Sequence, residues 1–208
     1  MINLYNEDCL EAMRRMDTDQ YDLAIVDPPY GMVESGMQMG GHVKGKKFNR
    51  NELNIWDKKP SKEYFIELLR VSKNQIIWGG NYFELPSTRC IICWDKRQPW
   101  ITFSQIEIAW TSFKSPARLF KFDNRYKGKI HPTQKPEKLI ERIIRTSSNP
   151  DDKVLDLFSG SGTTGVVCKH NERCFYGCEI DPDYYQQSLN RILRPDLVTM
   201  SKYASNGV

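Results

Sequence analysis

The chain has 208 residues, 39% of them hydrophobic, and its 30 Lys and Arg against 26 Asp and Glu give a formal net charge of +4. Length and composition are those of one globular domain with a buried core. No apolar run reaches the ~18 residues of a membrane helix and the N-terminus lacks a signal-peptide pattern, so we expect a cytoplasmic protein rather than a membrane or secreted one.

Hydrophobic periodicity predicts strands that alternate with helices along the chain. Strands are predicted at residues 1–5, 23–26, 75–78, 89–94, 106–110, 153–158 and 173–180. Helices are predicted at residues 8–16, after Ser61, from Pro136, at 163–170 and after Asp181, and Tyr64, Phe65, Leu68 and Leu69 share one face of the second. This alternation predicts an α/β fold, a mostly parallel twisted sheet with helices on both faces.

Two basic segments interrupt these elements. Residues 31–62 hold seven Lys and Arg against three acidic residues, and residues 112–135 hold seven against one, so the rest of the chain is acidic. This distribution is typical of a protein that binds a polyanion, and the other interpretation is a pair of solvated loops. Residues 31–59 show no hydrophobic period, and a loop of this length in a compact domain is usually functional or disordered.

The six cysteines show no disulfide framework. Cys168, His170, Cys174 and Cys178 lack the spacing of a paired zinc site, although a structural zinc ion is the weaker interpretation. We therefore expect reduced cysteines and no metal.

A glycine-rich turn follows the strand that contains Asp156. Gly160, Gly162 and Gly165 match G-x-G-x-x-G, and Glu179 comes 19 residues after Gly160, as in a dinucleotide fingerprint. An NAD-dependent oxidoreductase is therefore one interpretation. The Asp156 carboxylate beside the turn disfavours a pyrophosphate and suits a ligand with positive charge. S-adenosylmethionine is such a ligand, because it carries a sulfonium and an ammonium on an adenosine.

The sequence Asp27-Pro-Pro-Tyr30 follows the buried strand at residues 23–26. Its two prolines stiffen the turn and remove two N–H donors, so the turn presents acceptors only. The Asp27 carboxylate and a proline carbonyl can accept both hydrogens of one amino group, which favours a tetrahedral nitrogen whose lone pair is free to attack a methyl group. Tyr30 adds a flat face for stacking. An ordinary turn after a buried strand is the other interpretation.

At these residues the chain resembles the DNA amino-methyltransferases that act on adenine N6 or cytosine N4. The resemblance runs from Asn3 to about Leu193. Asp27-Pro-Pro-Tyr30 resembles their catalytic motif, and residues 156–163 resemble their cofactor loop. His131-Pro-Thr-Gln-Lys-Pro136 and Asn6-Glu-Asp-Cys9 resemble two further motifs. The catalytic motif comes first and only 29 residues follow Glu179, so the N-terminal strands must complete the sheet, in the circularly permuted arrangement called the beta group.

The resemblance implies a Rossmann-like methyltransferase fold, S-adenosylmethionine as cofactor and specific roles for individual residues. The implied catalytic residues are Asp27, Pro28, Pro29 and Tyr30, with Tyr30 stacking on a base flipped out of the duplex. Asp8 would contact the adenine of the cofactor, Glu179 its ribose, and Thr133 and Lys135 its carboxylate. The full set of implied cofactor residues is Asp8, Cys9, Asp27, Thr133, Lys135, Asp156, Phe158, Ser159, Gly160, Ser161, Gly162, Thr163, Glu179, Ile180 and Asp181.

The basic segments provide the residues that we expect along a DNA backbone. These are Lys44, Lys46, Lys47, Arg50, Lys121, Arg125, Lys127 and Lys129. Only residues 31–59 and 112–130 are available for target recognition, which predicts a short site, relaxed recognition or help from a second subunit such as a second copy of the chain.

We expect one methyltransferase domain at residues 1–195, followed by a flexible tail at 196–208. The domain would consist of a catalytic half at 1–111, a basic linker or recognition segment at 112–135 and a cofactor half at 136–195. The predicted reaction is methyl transfer to adenine N6 in DNA. Cytosine N4 or an RNA base as the target, and a DNA-binding protein with a vestigial cofactor site, are the alternatives.

Overall fold

The computed structural model describes residues 1–32, 57–100, 103–125 and 134–194. The strands are β1 (Ile2–Tyr5), β2 (Leu23–Val26), β3 (Gln75–Trp78), β4 (Ile91–Asp95), β5 (Ile106–Thr111), β6 (Arg118–Lys121), β7 (Lys153–Asp156) and β8 (Cys174–Cys178). The helices are α1 (Cys9–Arg14), α2 (Lys62–Val71), α3 (Glu137–Ser147), α4 (Thr163–His170) and α5 (Pro182–Leu193). Every predicted strand and helix is present, with ends that differ by a few residues.

The eight strands of the described residues form one sheet in the order β1-β8-β7-β2-β3-β5-β4-β6. Neighbours from β1 to β3 are parallel, β5 is antiparallel to β3 and β4, and β6 is parallel to β4. The predicted, mostly parallel sheet is therefore confirmed. The N-terminal β1 pairs with β8 and so completes the sheet beyond the glycine-rich turn, as expected; the circular permutation itself stays a prediction.

The sheet packs between two hydrophobic cores, because successive strand residues point to opposite faces. On β2, Leu23 and Ile25 join the core under α3, α4 and α5, whereas Ala24 and Val26 join the core under α1 and α2. Helices therefore cover both faces, as predicted. Leu69 of α2, which the sequence places on the same face as Tyr64, lies at its margin and is 37% exposed. Val71 is buried instead and continues the stripe of Tyr64 and Leu68 at helical spacing.

Strand β6 was not predicted, because it lies inside the basic segment at residues 112–135. Its sequence, Arg-Leu-Phe-Lys, has two apolar residues between two charged ones. Four positions without alternation are too few for the two-residue period of a strand to be recognised. Leu119 is 58% exposed, whereas Phe120 packs against the core. Part of this segment therefore belongs to the sheet.

Three helix starts follow from the predicted caps. The Asp8 Oδ1 atom accepts hydrogen bonds from the N–H groups of the first turn of α1, and Asp181 Oδ1 does the same for α5. Ser61 Oγ accepts one from the Tyr64 N–H. Within the described ranges, no helix is long and apolar enough to cross a membrane. The tail and most of the loop at residues 31–59 lie outside those ranges.

Candidate active site

The acidic residues singled out from the sequence meet at one edge of the sheet. Asp27 directly follows β2, Asp156 ends β7 and Glu179 directly follows β8, and the carboxyl ends of these parallel strands share an edge. Strands β7 and β2 are neighbours, and the chain leaves them in opposite directions, towards β8 and β3. Such a reversal creates a crevice at the carboxyl edge, which is where open α/β sheets bind ligands.

The turn after β2 is held rigid by its tyrosine. The Tyr30 hydroxyl donates a 2.7 Å hydrogen bond to Asp27 Oδ1, and the Tyr30 ring stacks on Tyr82 at a centroid distance of 4.9 Å and 17° between planes. Gly79 has a φ of +65°, and a Cβ there would lie 2.2 Å from the Tyr30 ring. One face of the ring is thus covered by Tyr82, so only the opposite face could stack on a base.

A cluster of buried charges surrounds Asp27. The Lys135 Nζ atom lies 2.5 Å from Asp27 Oδ2 and 2.8 Å from Glu107 Oε1. Lys96 Nζ lies 2.9 Å from Glu107 Oε2, and the Tyr30 hydroxyl oxygen lies 3.1 Å from Glu107 Oε1, close enough for its one hydrogen to be shared between Asp27 and Glu107. The side chains of Lys135 and Glu107 are only 7% and 17% exposed. Glu107 and Lys96 were not predicted from the sequence, and neither was the contact between Lys135 and Asp27.

The charged groups of this cluster change one another's pKa values. Burial acts to raise the pKa of Glu107, but the ammonium groups of Lys135 and Lys96 outweigh it and lower the pKa to about 2. Burial raises the pKa of Asp27, and the Glu107 charge adds to this against the opposing Lys135. Burial acts to lower the pKa of Lys135, but the two carboxylates raise it above its ordinary value. Glu107 and Lys135 are therefore both charged at neutral pH.

The glycine-rich turn is fastened to the loop after β8. Gly160 N–H donates a 2.7 Å hydrogen bond to Glu179 Oε2, and Asp181 N–H donates one of 3.0 Å to Oε1. Gly162 has a φ of +71°, and a Cβ there would lie 2.9 Å from Ser188 Cβ, so only glycine fits at this start of α4. Arg191 Nη1 donates to the Ser161 carbonyl at 2.6 Å, a brace that the sequence did not reveal.

Two observations at this turn fit a cationic ligand such as S-adenosylmethionine. Burial raises the pKa of Asp156 to about 7, although the Phe158 N–H donates to its Oδ1 atom at 3.2 Å. A positive charge beside Asp156 would offset this cost of burying a carboxylate. The Ser159 Oγ atom is buried and has no hydrogen-bond partner among the described residues, so a bound ligand could supply one.

The segment before α1 lies against the same loop. Asn6 Nδ2 donates hydrogen bonds to the Glu179 carbonyl at 2.7 Å and to the Ile180 carbonyl at 3.0 Å. This contact brings Asp8 and Cys9 to the edge that carries Glu179. Burial raises the pKa of the Cys9 thiol to about 12, so Cys9 is a protonated packing residue rather than a nucleophile at neutral pH.

The structure describes only part of the predicted DNA-contact set. Lys121 ends the edge strand β6 and is exposed. Arg125 is also near the surface, where its Nη2 atom lies 2.6 Å from Asp123 Oδ2. Thr133 of the cofactor set and most of the predicted DNA contacts lie outside the described residues: Lys44, Lys46, Lys47, Arg50, Lys127 and Lys129.

Known proteins share this sequence pattern and this fold. The profile of the N6/N4 methyltransferase family, described as DNA methylase, matches residues 94–190. The type II methyltransferase M2.DpnII of Streptococcus pneumoniae is 26% identical over 91% of this chain and 88% of its own length. The DNA adenine methyltransferase YhdJ of Escherichia coli is 55% identical over 62 residues, 30% of this chain and 21% of YhdJ. The structure of an M1.HpyAVI–SAM complex, 24% identical, covers 92% of this chain with all of its own and gives a TM-score of 0.59.

Proposed function

We propose that the chain, which matches the N6/N4 DNA methyltransferase family over residues 94–190, transfers a methyl group from S-adenosylmethionine to the exocyclic N6 amino group of adenine in DNA. The observation that carries this proposal is the placement of Asp27 and Asp156 at the adjacent carboxyl ends of β2 and β7. One edge of the sheet thereby holds an acceptor for an amino group beside a site for a cation. We further propose that the protein acts on DNA in the cytoplasm.

The residues after β7 and β8 have the chemistry to bind the cofactor. S-adenosylmethionine, when bound, supplies a methyl group on a positively charged sulfur. Asp156 offers a buried carboxylate to that positive charge, and Ser159 offers an unsatisfied hydroxyl. Glu179 is held in place by two backbone N–H groups, and its carboxylate suits the hydroxyls of a ribose. Asn6 brings Asp8 and Cys9 to the side of this loop, where the adenine of the cofactor would lie.

The residues after β2 have the chemistry to prepare the target. Asp27 and a carbonyl of Pro28 or Pro29 accept hydrogen bonds from the amino group, whose lone pair is otherwise delocalised into the ring of the base. Fixing both hydrogens leaves the nitrogen lone pair directed at the methyl group. The nitrogen becomes positively charged as it takes the methyl group and the bond from that methyl to sulfur breaks, with the electron pair of that bond remaining on sulfur. The Asp27 carboxylate stabilises the charge on nitrogen until the surplus proton passes to Asp27 and from there to solvent. Tyr30 would stack on the flipped base through the ring face opposite Tyr82.

The glycine loop alone would also suit an NAD-dependent oxidoreductase, and the two functions are separated by one comparison. Purified protein is incubated with tritium-labelled S-adenosylmethionine and DNA, and a parallel sample is monitored for an absorbance change with NAD. The proposal predicts label in the DNA and no absorbance change. Absence of label with a protein that binds the cofactor would overturn it.

A further inference from the structure

We propose that Glu107 is a positioning residue for the methyl-transfer step, which rests on the function proposed above. Its carboxylate holds the Lys135 ammonium and the Tyr30 hydroxyl against Asp27 and offsets the positive charge that Lys135 places there. Glu107 therefore acts through Asp27 and does not itself contact the target base.

Two groups, Lys135 and Tyr30, each lie between the carboxylates of Glu107 and Asp27. Lys135 Nζ contacts Asp27 Oδ2 at 2.5 Å and Glu107 Oε1 at 2.8 Å, so one ammonium bridges the two carboxylates. The Tyr30 hydroxyl oxygen lies between the two carboxylates, 2.7 Å from Asp27 Oδ1 and 3.1 Å from the same Glu107 oxygen, so its single hydrogen is directed at Asp27 or shared with Glu107. Both oxygens of Asp27 are thereby fixed by groups that Glu107 also contacts. A carboxylate has about four acceptor positions, so Asp27 can still accept from an amino group.

The five groups of this network come from four parts of the fold, since Asp27 and Tyr30 share one turn. Tyr30 follows β2, Lys96 follows β4, Glu107 lies on β5, and Lys135 precedes α3. Lys96 binds the second oxygen of Glu107 at 2.9 Å and so fixes its orientation. Because β5 is held between β3 and β4, Glu107 is a rigid anchor for the turn that carries Asp27.

The charges explain why an acid is needed at this position. The target nitrogen gains positive charge as the new bond forms, and Asp27 must present negative charge to it. Lys135 by itself would cancel that charge, because a lysine and an aspartate together are neutral. With Glu107 and its partner Lys96 included, the four groups are neutral, whereas without Glu107 they would carry a net charge of +1 beside the reacting nitrogen. Lys96 lies on the far oxygen of Glu107 and balances the buried cluster as a whole.

The opposing interpretation is that the network only stabilises the antiparallel part of the sheet. Three variants separate the two roles. Glu107→Gln keeps the shape and removes the charge, and Glu107→Asp keeps the charge and shortens the side chain. Glu67→Gln is the matched control, since Glu67 is a similarly covered glutamate, 19% exposed and ion-paired with Arg70 on α2, and it is not part of the charge cluster.

Kinetics with S-adenosylmethionine and DNA give the first readout. We expect Glu107→Gln to lower kcat about tenfold or more, as for loss of a hydrogen bond to a charged group, with the dissociation constant for the cofactor little changed. Glu107→Asp should regain part of that loss, and Glu67→Gln should retain the wild-type kcat. An unchanged kcat in Glu107→Gln, or a loss confined to cofactor affinity, overturns the proposal.

Labelling of lysines gives a second readout that needs neither cofactor nor DNA. The protein alone is treated with acetic anhydride and digested, and mass spectrometry measures the acetylated fraction of each lysine. Without the Glu107 charge, the pKa of Lys135 falls and more of its amine is neutral, so Lys135 should label several-fold faster in Glu107→Gln. Lys73, exposed and paired with Asp22, should label equally in both proteins. If Lys135 is labelled at the same rate in both proteins, the proposed action of Glu107 on Lys135 is contradicted.

The two readouts also distinguish the failure of this inference from failure of the proposed function. A wild-type protein that methylates no DNA contradicts the function, and the role of Glu107 in the transfer step falls with it. A wild-type protein that methylates DNA, together with a fully active Glu107→Gln, contradicts only the role of Glu107.

Discussion

The Lys135 Nζ atom lies 2.5 Å from Asp27 Oδ2, although the two residues are 108 positions apart in the chain. This ion pair links the segment that precedes α3 to the turn that follows β2. The resemblance had implied that Lys135 holds the carboxylate of the cofactor. The structure shows that Lys135 contacts Asp27, the proposed acceptor of the target amino group.

The first prediction concerns Asp27. Asp27→Ala should remove methyl transfer, by on the order of 10²-fold or more in rate, because a positioned charged acceptor is lost at the reacting nitrogen. The affinity for S-adenosylmethionine should fall modestly at most. Tritium transfer measures the rate, and calorimetry measures the affinity.

Asp22→Ala is the matched control for this variant. Asp22 precedes β2 at the opposite edge of the sheet and is paired with Lys73, 2.7 Å away. It should retain wild-type turnover. Turnover near that of the wild type in Asp27→Ala would show that the turn after β2 is not the catalytic motif.

The second prediction concerns the cofactor loop. Glu179→Ala and Gly162→Val should both raise the dissociation constant for S-adenosylmethionine. The first removes the proposed partner of the ribose and the acceptor of the Gly160 N–H. The second places a side chain at a φ of +71°, where even a Cβ would lie 2.9 Å from Ser188. Calorimetry measures both affinities, and circular dichroism checks that each variant is folded.

Glu172→Ala serves as the control, because Glu172 lies in the exposed turn between α4 and β8. If the affinity were unchanged in both loop variants, the cofactor would have to bind elsewhere on the protein.

Local sequence patterns predicted most of the helices and strands. The charge cluster could not be predicted in this way, because its residues are far apart in the chain and meet only when the strands pair. Asp8, Ser61 and Asp181 cap helices where their sequence positions indicated. Glu107 stands between two isoleucines on a strand, and a charged residue in such a run was the available signal. Its partners follow only from the order of the strands, in which β5 inserts between β3 and β4. No period in the sequence determines that order.

The third prediction concerns the pH dependence of stability. The pKa of Asp156 is raised from 3.8 to about 7 on folding, so the folded state binds more protons than the unfolded state between these values. Its contribution to stability is therefore largest below pH 4, declines as the pH rises to about 7, and is constant above. Asp156→Asn removes the decline and should be more stable than the wild type at pH 8, by ~4 kcal/mol as an upper value.

Urea unfolding at pH 5 and pH 8 measures this difference. The gain from Asp156→Asn should be smaller at pH 5, and the variant should bind S-adenosylmethionine more weakly. Asp22→Asn is expected to have the opposite sign at pH 8, because burial acts to raise the pKa of Asp22 but its contacts with Lys73 and Lys153 lower it. If the stability of the wild type and of Asp156→Asn depended on pH in the same way, the raised pKa of Asp156 would be contradicted.

The fourth prediction tests the first basic segment. Replacing Lys44, Lys46 and Lys47 with Ala should weaken binding to every DNA sequence by a similar factor, because phosphate contacts carry no base information. The slope of log K against log salt should flatten by up to about 2.7 if all three lysines contact phosphates. A double change of Lys73 and Lys153, at the opposite edge of the sheet, should leave the slope unchanged. A changed methylation site would show that these lysines take part in base readout.

The most direct test is to identify the methylated nucleoside. Unmethylated DNA is incubated with S-adenosylmethionine and the purified protein, or its Asp27→Ala variant, then digested to nucleosides and analysed by mass spectrometry. N6-methyladenine in the wild-type sample and its absence from the variant sample is the predicted result. Product found only as N4-methylcytosine would contradict the choice of adenine, and no methylated nucleoside from a protein that binds the cofactor would contradict methyl transfer to DNA.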